Sequence, residues 1–429
     1  MQRFLRQYTK ILFLPLLAMG LVLAGCDSNG GNDLGDDTGD DPGETTTNAY
    51  PESGSYDAEI VSNLLTGDLR GKIDGAPDTP VDKATLTALY TGDIDDKTIA
   101  VASGLTTEGQ STYDDIAGGV DLSTKLSSDV TTLLVGSAAL ASDDSPDPGN
   151  QVTTDDLVRF YFGDVASNDR FTTPNGVHMG QLSEKLLASA LYGEAARILT
   201  DFADDPSSVN NPAEKWDEAF GYYGAPRDFE ESFLDLDNPE GLVDGSGSRD
   251  VDESGGVDLT TEFVYTWAGY TAERAAAAEA NSPNNFAGRA FEGFREGRKA
   301  IEDGNLDELS GSNGFAAQAR DAWEATVAVN VIHYMNGLEG DLAELGDTQT
   351  VEDGDLDENA WGEAKAFAWG LQFYSDKLST SQLQTIHEKI GNAPPYGEKT
   401  ASEYDGDLTE ATEIIETAYG FNSTNVEEW

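Results

Sequence analysis

The sequence predicts an all-α protein: a helical bundle of two pseudo-repeated halves behind a less regular N-terminal region. Three observations carry that expectation. From Asp155 onward apolar residues recur at spacings of three and four, and no polar–apolar alternation lasts long enough to demand a sheet. The breaks between periodic segments carry Gly, Asn, Asp or Pro, as helix ends do. The chain also repeats itself: Trp216-Asp-Glu218-Ala219-Phe-Gly-Tyr222 and Trp361-Gly-Glu363-Ala364-Lys-Ala-Phe367 share Trp-x-Glu-Ala-x-small-aromatic. Each copy follows a long helical segment with a histidine near one end, His178 at the start of the first and His333 late in the second.

Residues 1–25 read as a secretory leader. Arg3, Arg6 and Lys10 precede an uncharged apolar run, Ile11 to Ala24, short of the roughly 20 residues a membrane span requires. The run ends in Leu23-Ala24-Gly25-Cys26, which resembles the bacterial lipobox. That resemblance implies that Cys26 becomes a lipidated N-terminus, with acyl chains holding the protein on a bilayer without a spanning helix. Cys26 is the only cysteine, so the mature chain has no thiol left for a disulfide, a zinc site or a nucleophile. Residues 26–50 are Gly- and Asp-rich with almost no large apolar side chain, which predicts a flexible tether. An acidic stretch behind a lipidated cysteine also resembles the export signal of surface lipoproteins, and composition fits spacer and signal equally.

Residues 51–150 form the mixed, loop-rich region. Tyr56 to Ile73, Lys83 to Asp93 and Ser123 to Ala141 have helical character between Gly, Asp and Pro turns. The body, 151–429, contains the periodic segments 177–203, 262–280, 284–304, 314–345, 358–378 and 409–421. Within each repeat copy the tryptophan and alanine share a helix face while Glu218 and Glu363 lie to the side. Duplication therefore predicts that Trp216 and Trp361 are both buried, and that the two glutamates face the groove between halves or cap neighbouring helices.

Charge narrows the setting. The chain has 80 acids against 25 bases, and losing the leader removes three of the bases. Self-repulsion of this size is screened at about 1 M salt, where the Debye length is about 3 Å, so a halophilic source is expected. No basic patch exists to meet phosphate, which disfavours nucleic acid as a partner.

The segments 180–191 (GQLSEKLLASAL), 215–226 (KWDEAFGYYGAP), 332–336 (IHYMN) and 360–373 (AWGEAKAFAWGLQF), in this order, resemble the lipoprotein family called domain of unknown function 4856. That family is similar to the imelysin-like proteins, helical envelope proteins associated with iron acquisition and once grouped with peptidases, whose signature is Gly-x-His-x-x-Glu. This chain reads Val331-Ile-His333-Tyr-Met-Asn336, with Val for the glycine and Asn for the glutamate.

Site chemistry read from the residues themselves is sparse. Three histidines with no His-Glu-x-x-His spacing rule out a zincin. His333, among Val331, Ile332, Tyr334 and Met335, is either a core histidine or a ligand; His178 suits a helix start and His387 the surface. Asp353-Gly-Asp355-Leu-Asp357 offers alternate oxygens like a calcium loop, but lacks glycine at the sixth place and has Ala364 at the twelfth; the acidic loop 235–258 is as irregular. Both fit either a solvated acidic surface, the commoner case in so acidic a chain, or calcium binding, and neither names a metal or cofactor. Two function classes remain. One is a lipid-anchored envelope protein that binds a small ligand, iron-related by resemblance, or an uptake partner, with His333, Glu218 and Glu363 as candidate binding residues. The other is a carboxylate-dependent hydrolase using Glu218 and Glu363 as an acid/base pair.

Overall fold

The computed structural model describes residues 48–125, 153–279 and 282–429. The leader, Cys26, nearly all of the tether and most of the segment Ser123 to Ala141 lie outside the described residues. The helices are α1 (Asp57–Asp74), α2 (Lys83–Tyr90), a short α3 (Leu122–Lys125), α4 (Thr154–Asn168), α5 (Met179–Asp204), α6 (Pro212–Tyr223), α7 (Thr266–Ala275), α8 (Phe286–Asp303), α9 (Phe315–Leu342), α10 (Glu358–Phe373), α11 (Thr380–Ile390), α12 (Ala401–Tyr419) and α13 (Ser423–Glu428). The described residues include no β-strand, only isolated bridges such as Thr350 to Thr400. The protein is an all-α bundle. None of its described helices is long and apolar enough to cross a membrane.

Two rings of packed helices share α9. The first is α5, α6, α8 and α9; the second is α9, α10, α11 and α12, and α5 also packs along α10. The position of α9 follows from its sequence. Ala, Val, Trp323 and Ile332 occupy nearly every face, so a helix of 28 residues, about 42 Å long, is buried around its circumference. By contrast α8 is amphipathic, and its glycines set how closely neighbours approach. A Cβ at Gly293 would lie 2.7 Å from the Ala319 backbone nitrogen, and one at Gly297 would lie 2.1 Å from the Trp216 ring. The helix boundaries have local causes: Thr153/Asp156, Ser379/Gln382 and Thr400/Glu403 form capping boxes. Gly224, Gly304 and Gly420 end α6, α8 and α12 in the left-handed region.

Both repeat tryptophans are fully buried. The Trp216 indole N–H donates to the Phe294 carbonyl at 2.8 Å and its ring meets Phe202 of the preceding α5; the Trp361 N–H donates to the Ile390 carbonyl at 3.3 Å. Both indoles thus join their helix to another by a buried bond.

Several expectations are corrected. Tyr50, expected at the end of the tether, is 1% exposed: it stacks on Phe220 with centroids 3.7 Å apart and donates to Asp217 at 2.6 Å. Asp217 also accepts from Arg298 at 2.8 Å, so a buried ion pair ties the start of the folded body to α6 and α8. Of the segment 262–280, the described residues are helical only from Thr266 to Ala275. Ala277 takes a φ of 63° and donates to the Leu236 carbonyl, so a tertiary bond overrides the helix propensity of the alanine run. His387, expected on the surface, is fully buried: it lies on α11 with Leu383, Ile386 and Ile390, an apolar face at spacings of three and four.

Candidate functional site

The structure gathers polar side chains where α1, α5, α7, α9 and α10 meet. Glu363, on α10, is 7% exposed and accepts a hydrogen bond from the Tyr270 hydroxyl at 2.9 Å. Tyr334, on α9, also hydrogen-bonds this carboxylate, and its hydroxyl oxygen is 3.2 Å from that of Tyr270. Three oxygens from three helices therefore converge. Tyr270, His333 and Tyr334 are half-buried, whereas Glu363 is buried.

Positive charge borders the triad. Lys185, on α5, lies 5.1 Å from the Tyr270 ring centroid and pairs with Glu184 at 3.0 Å; Arg70, on α1, also pairs with Glu184 at 3.0 Å. On the other side the Arg274 guanidinium lies 6.0 Å and 5.9 Å from the ring centroids of Tyr270 and Tyr334. Burial pushes the Glu363 carboxyl above its ordinary range, against the pull of Lys185 and the two phenols. Burial also raises Glu184, but Lys185 and Arg70 outweigh it and the net movement is downward. Burial, then the Glu363 charge, drives both phenols well above their ordinary value. Burial and the Arg274 charge drive His333 well below its own, so its imidazole is neutral at pH 7.

The expected binding residues are only partly brought together. His333 stands beside the triad, its ring edge-on to Tyr334 with centroids 4.9 Å apart. Glu218 is elsewhere: on α6 it pairs with Lys215 one turn away at 2.5 Å, in a partly exposed position. The Glu218–Glu363 acid/base pair therefore does not form. The two copies pack against different neighbours: α6 presses Gly221 against Tyr56 and Glu59 at the start of α1, while Glu363 of α10 meets Tyr270 of α7. At the place where the imelysin-like signature has glutamate, the Asn336 amide donates to the Val426 and Trp429 carbonyls at 2.7 and 2.9 Å. A carboxylate could not donate those bonds, which fix the C-terminal helix against α9. His178 caps α5, accepting from the Gln181 backbone N–H at 3.1 Å.

A second oxygen cluster was not legible as such in the sequence. Carboxylate oxygens of Asp250, Asp252 and Glu262 lie within 4.8 Å of one another. The order Asp250-x-Asp252-x-Ser254-Gly255, with Gly255 at φ 99°, is that of a calcium loop with glycine at the sixth place, although its closing glutamate is thirteenth instead of twelfth. Glu262 is 6% exposed and accepts from the backbone N–H groups of Val251, Asp252 and Asp258, which holds its carboxylate against the loop. Such a loop can accept a hard divalent cation. The Asp353 stretch differs: Asp355 closes a turn on the Glu352 N–H and Asp357 caps α10.

No family model, curated protein or solved structure matches the chain.

Proposed function

We propose that this chain is a lipid-anchored cell-envelope protein that binds a hard, oxygen-seeking metal ion, ferric iron by the resemblance, at Tyr270, Tyr334 and Glu363. The observation that carries this reading is the convergence of two phenols and a carboxylate. The Tyr270–Glu363 and Tyr270–Tyr334 oxygen separations of 2.9 and 3.2 Å are close to the edge of an octahedron with bonds of about 2.1 Å, which is about 3 Å. Phenolate and carboxylate are hard ligands, suited to a small, highly charged cation. In the metal-free cluster the phenols are held protonated by burial and by Glu363; a bound cation reverses that balance, so uptake releases protons. His333, neutral at pH 7, lies on α9 next to Tyr334, with ring centroids 4.9 Å apart.

Isolation of the full chain from its own membrane in molar salt, followed by metal analysis, tests the reading. Iron near one equivalent, lost in Tyr270→Phe, supports it; iron content unchanged by that substitution refutes it. Cys26→Ala tests the anchor separately: the variant should leave the membrane fraction, and retention equal to the wild type contradicts lipidation.

A further inference from the structure

Next to the oxygen triad are two buried donors without acceptors. Arg274, on α7, is 6% exposed; its Nε donates to the Asn330 Oδ1 at 2.8 Å and its Nη1 to Glu273 at 3.2 Å, while its Nη2 is buried and unbonded. Asn330, on α9, is fully buried; its oxygen takes the arginine bond and its Nδ2 has no partner. Because the two side chains are hydrogen-bonded to each other, their free N–H groups lie close together. A buried donor without an acceptor is costly, and two neighbouring ones are a strong departure from the usual satisfaction of interior polar groups.

We infer that Arg274 Nη2 and Asn330 Nδ2 form the binding site of a small planar oxyanion, a carboxylate or carbonate, beside the metal-binding triad. An arginine fork matches planar oxyanions, and the adjacent amide adds a second donor. The chemistry of the metal site asks for such a group. Tyr270, Tyr334 and Glu363 supply three oxygens, half of an octahedral shell, so an ion bound there still needs donors from outside this triad. The Arg274 guanidinium lies 6.0 Å and 5.9 Å from the ring centroids of Tyr270 and Tyr334, so an anion held on it would border the triad. Two sources share this chemistry: dissolved carbonate, and the carboxylate of an organic chelator that brings the metal. The inference rests on the proposed function for the metal, but anion binding can be read without any metal.

The test is calorimetric titration of the full metal-free chain, in detergent and molar sodium chloride, with bicarbonate, acetate, citrate and phosphate. Bicarbonate or a carboxylate should bind, and Asn330→Leu and Arg274→Lys should each weaken it about 10- to 100-fold. Asn330→Leu removes the unbonded donor together with the oxygen that accepts from Arg274 Nε, so its thermal midpoint without anion should fall below the wild type, and the rise in midpoint that the anion gives the wild type should be missing from it. Bicarbonate alone identifies carbonate as the source; acetate or citrate identifies a chelator carboxylate. Binding of phosphate only, of no anion, or of any anion equally in wild type and both variants overturns the inference. Iron uptake that persists without anion binding overturns it while leaving the metal reading intact. Anion binding without iron uptake does the reverse.

Discussion

Lys365 gives the sharpest stability prediction. It lies on α10 in the second helix ring, fully buried, with its Nζ donating only to the His387 carbonyl at 3.3 Å and lying 5.1 Å from the Trp369 ring centroid. Burial pushes this amine down to about 7 from its ordinary 10.5. In the unfolded chain it stays protonated to higher pH, so between about 7 and 10.5 the unfolded state binds more protons and folding stability rises with pH. At 1.36 kcal/mol for each tenfold step, the full penalty below pH 7 is about 5 kcal/mol. Lys365→Met retains the unbranched chain and removes the charge. It loses one hydrogen bond of about 1 kcal/mol, and the His387 carbonyl still accepts from the Gly391 N–H, so a net gain of about 3 kcal/mol at pH 7 is expected. Urea unfolding in molar salt, repeated from pH 7 to 11, measures it. The advantage of the variant should be largest near pH 7 and vanish above about pH 10.5. A variant less stable than wild type at pH 7, or an advantage independent of pH, refutes the reasoning.

Two further substitutions test packing and metal chemistry. Gly297→Ala places a methyl group into the Trp216 ring, so it should cost about 1–3 kcal/mol in chemical unfolding, whereas Gly340→Ala, with open space at its Cβ, should be neutral or slightly stabilising. Calcium should raise the thermal midpoint of the wild type, chelation should reverse the rise, and Asp250→Asn should abolish it; an equal response in that variant places the effect elsewhere. Because the chain is so acidic, that comparison is made at constant high salt to separate specific binding from screening.

The bundle was legible because its long helices declare themselves. The segments that became α5, α8, α9 and α10 keep apolar residues three and four apart over many turns, and the buried tryptophans follow from that pattern. His387 was misplaced because polar neighbours in sequence conceal a helix face formed with Leu383, Ile386 and Ile390. The site was half legible. Glu363 and His333 stood out through the repeat and the histidine-bearing helix, whereas Tyr270 is 93 residues from the carboxylate it binds and belongs to no motif. Only the approach of α7 to α9 and α10 makes it a neighbour. The repeat misled at Glu218, since similar helix sequences place their glutamates by whatever packs beside them: Lys215 at the surface for one, Tyr270 in the interior for the other. The acidic loop hid its order for a different reason. Among so many acids, Asp250, Asp252 and Glu262 are distinguished only by the turn at Gly255 that folds them together.

The central claim is that two phenols and a carboxylate bind a hard metal ion, and titration of the full metal-free chain with chelated ferric iron, followed by visible absorption, tests it most directly. Phenolate bound to ferric iron absorbs visible light, which carboxylate clusters alone do not reproduce. The account predicts a band that saturates near one equivalent, is lost in Tyr270→Phe and Tyr334→Phe, and is unaffected by Asp250→Asn. No band in the wild type, or a band that survives both tyrosine substitutions, contradicts it.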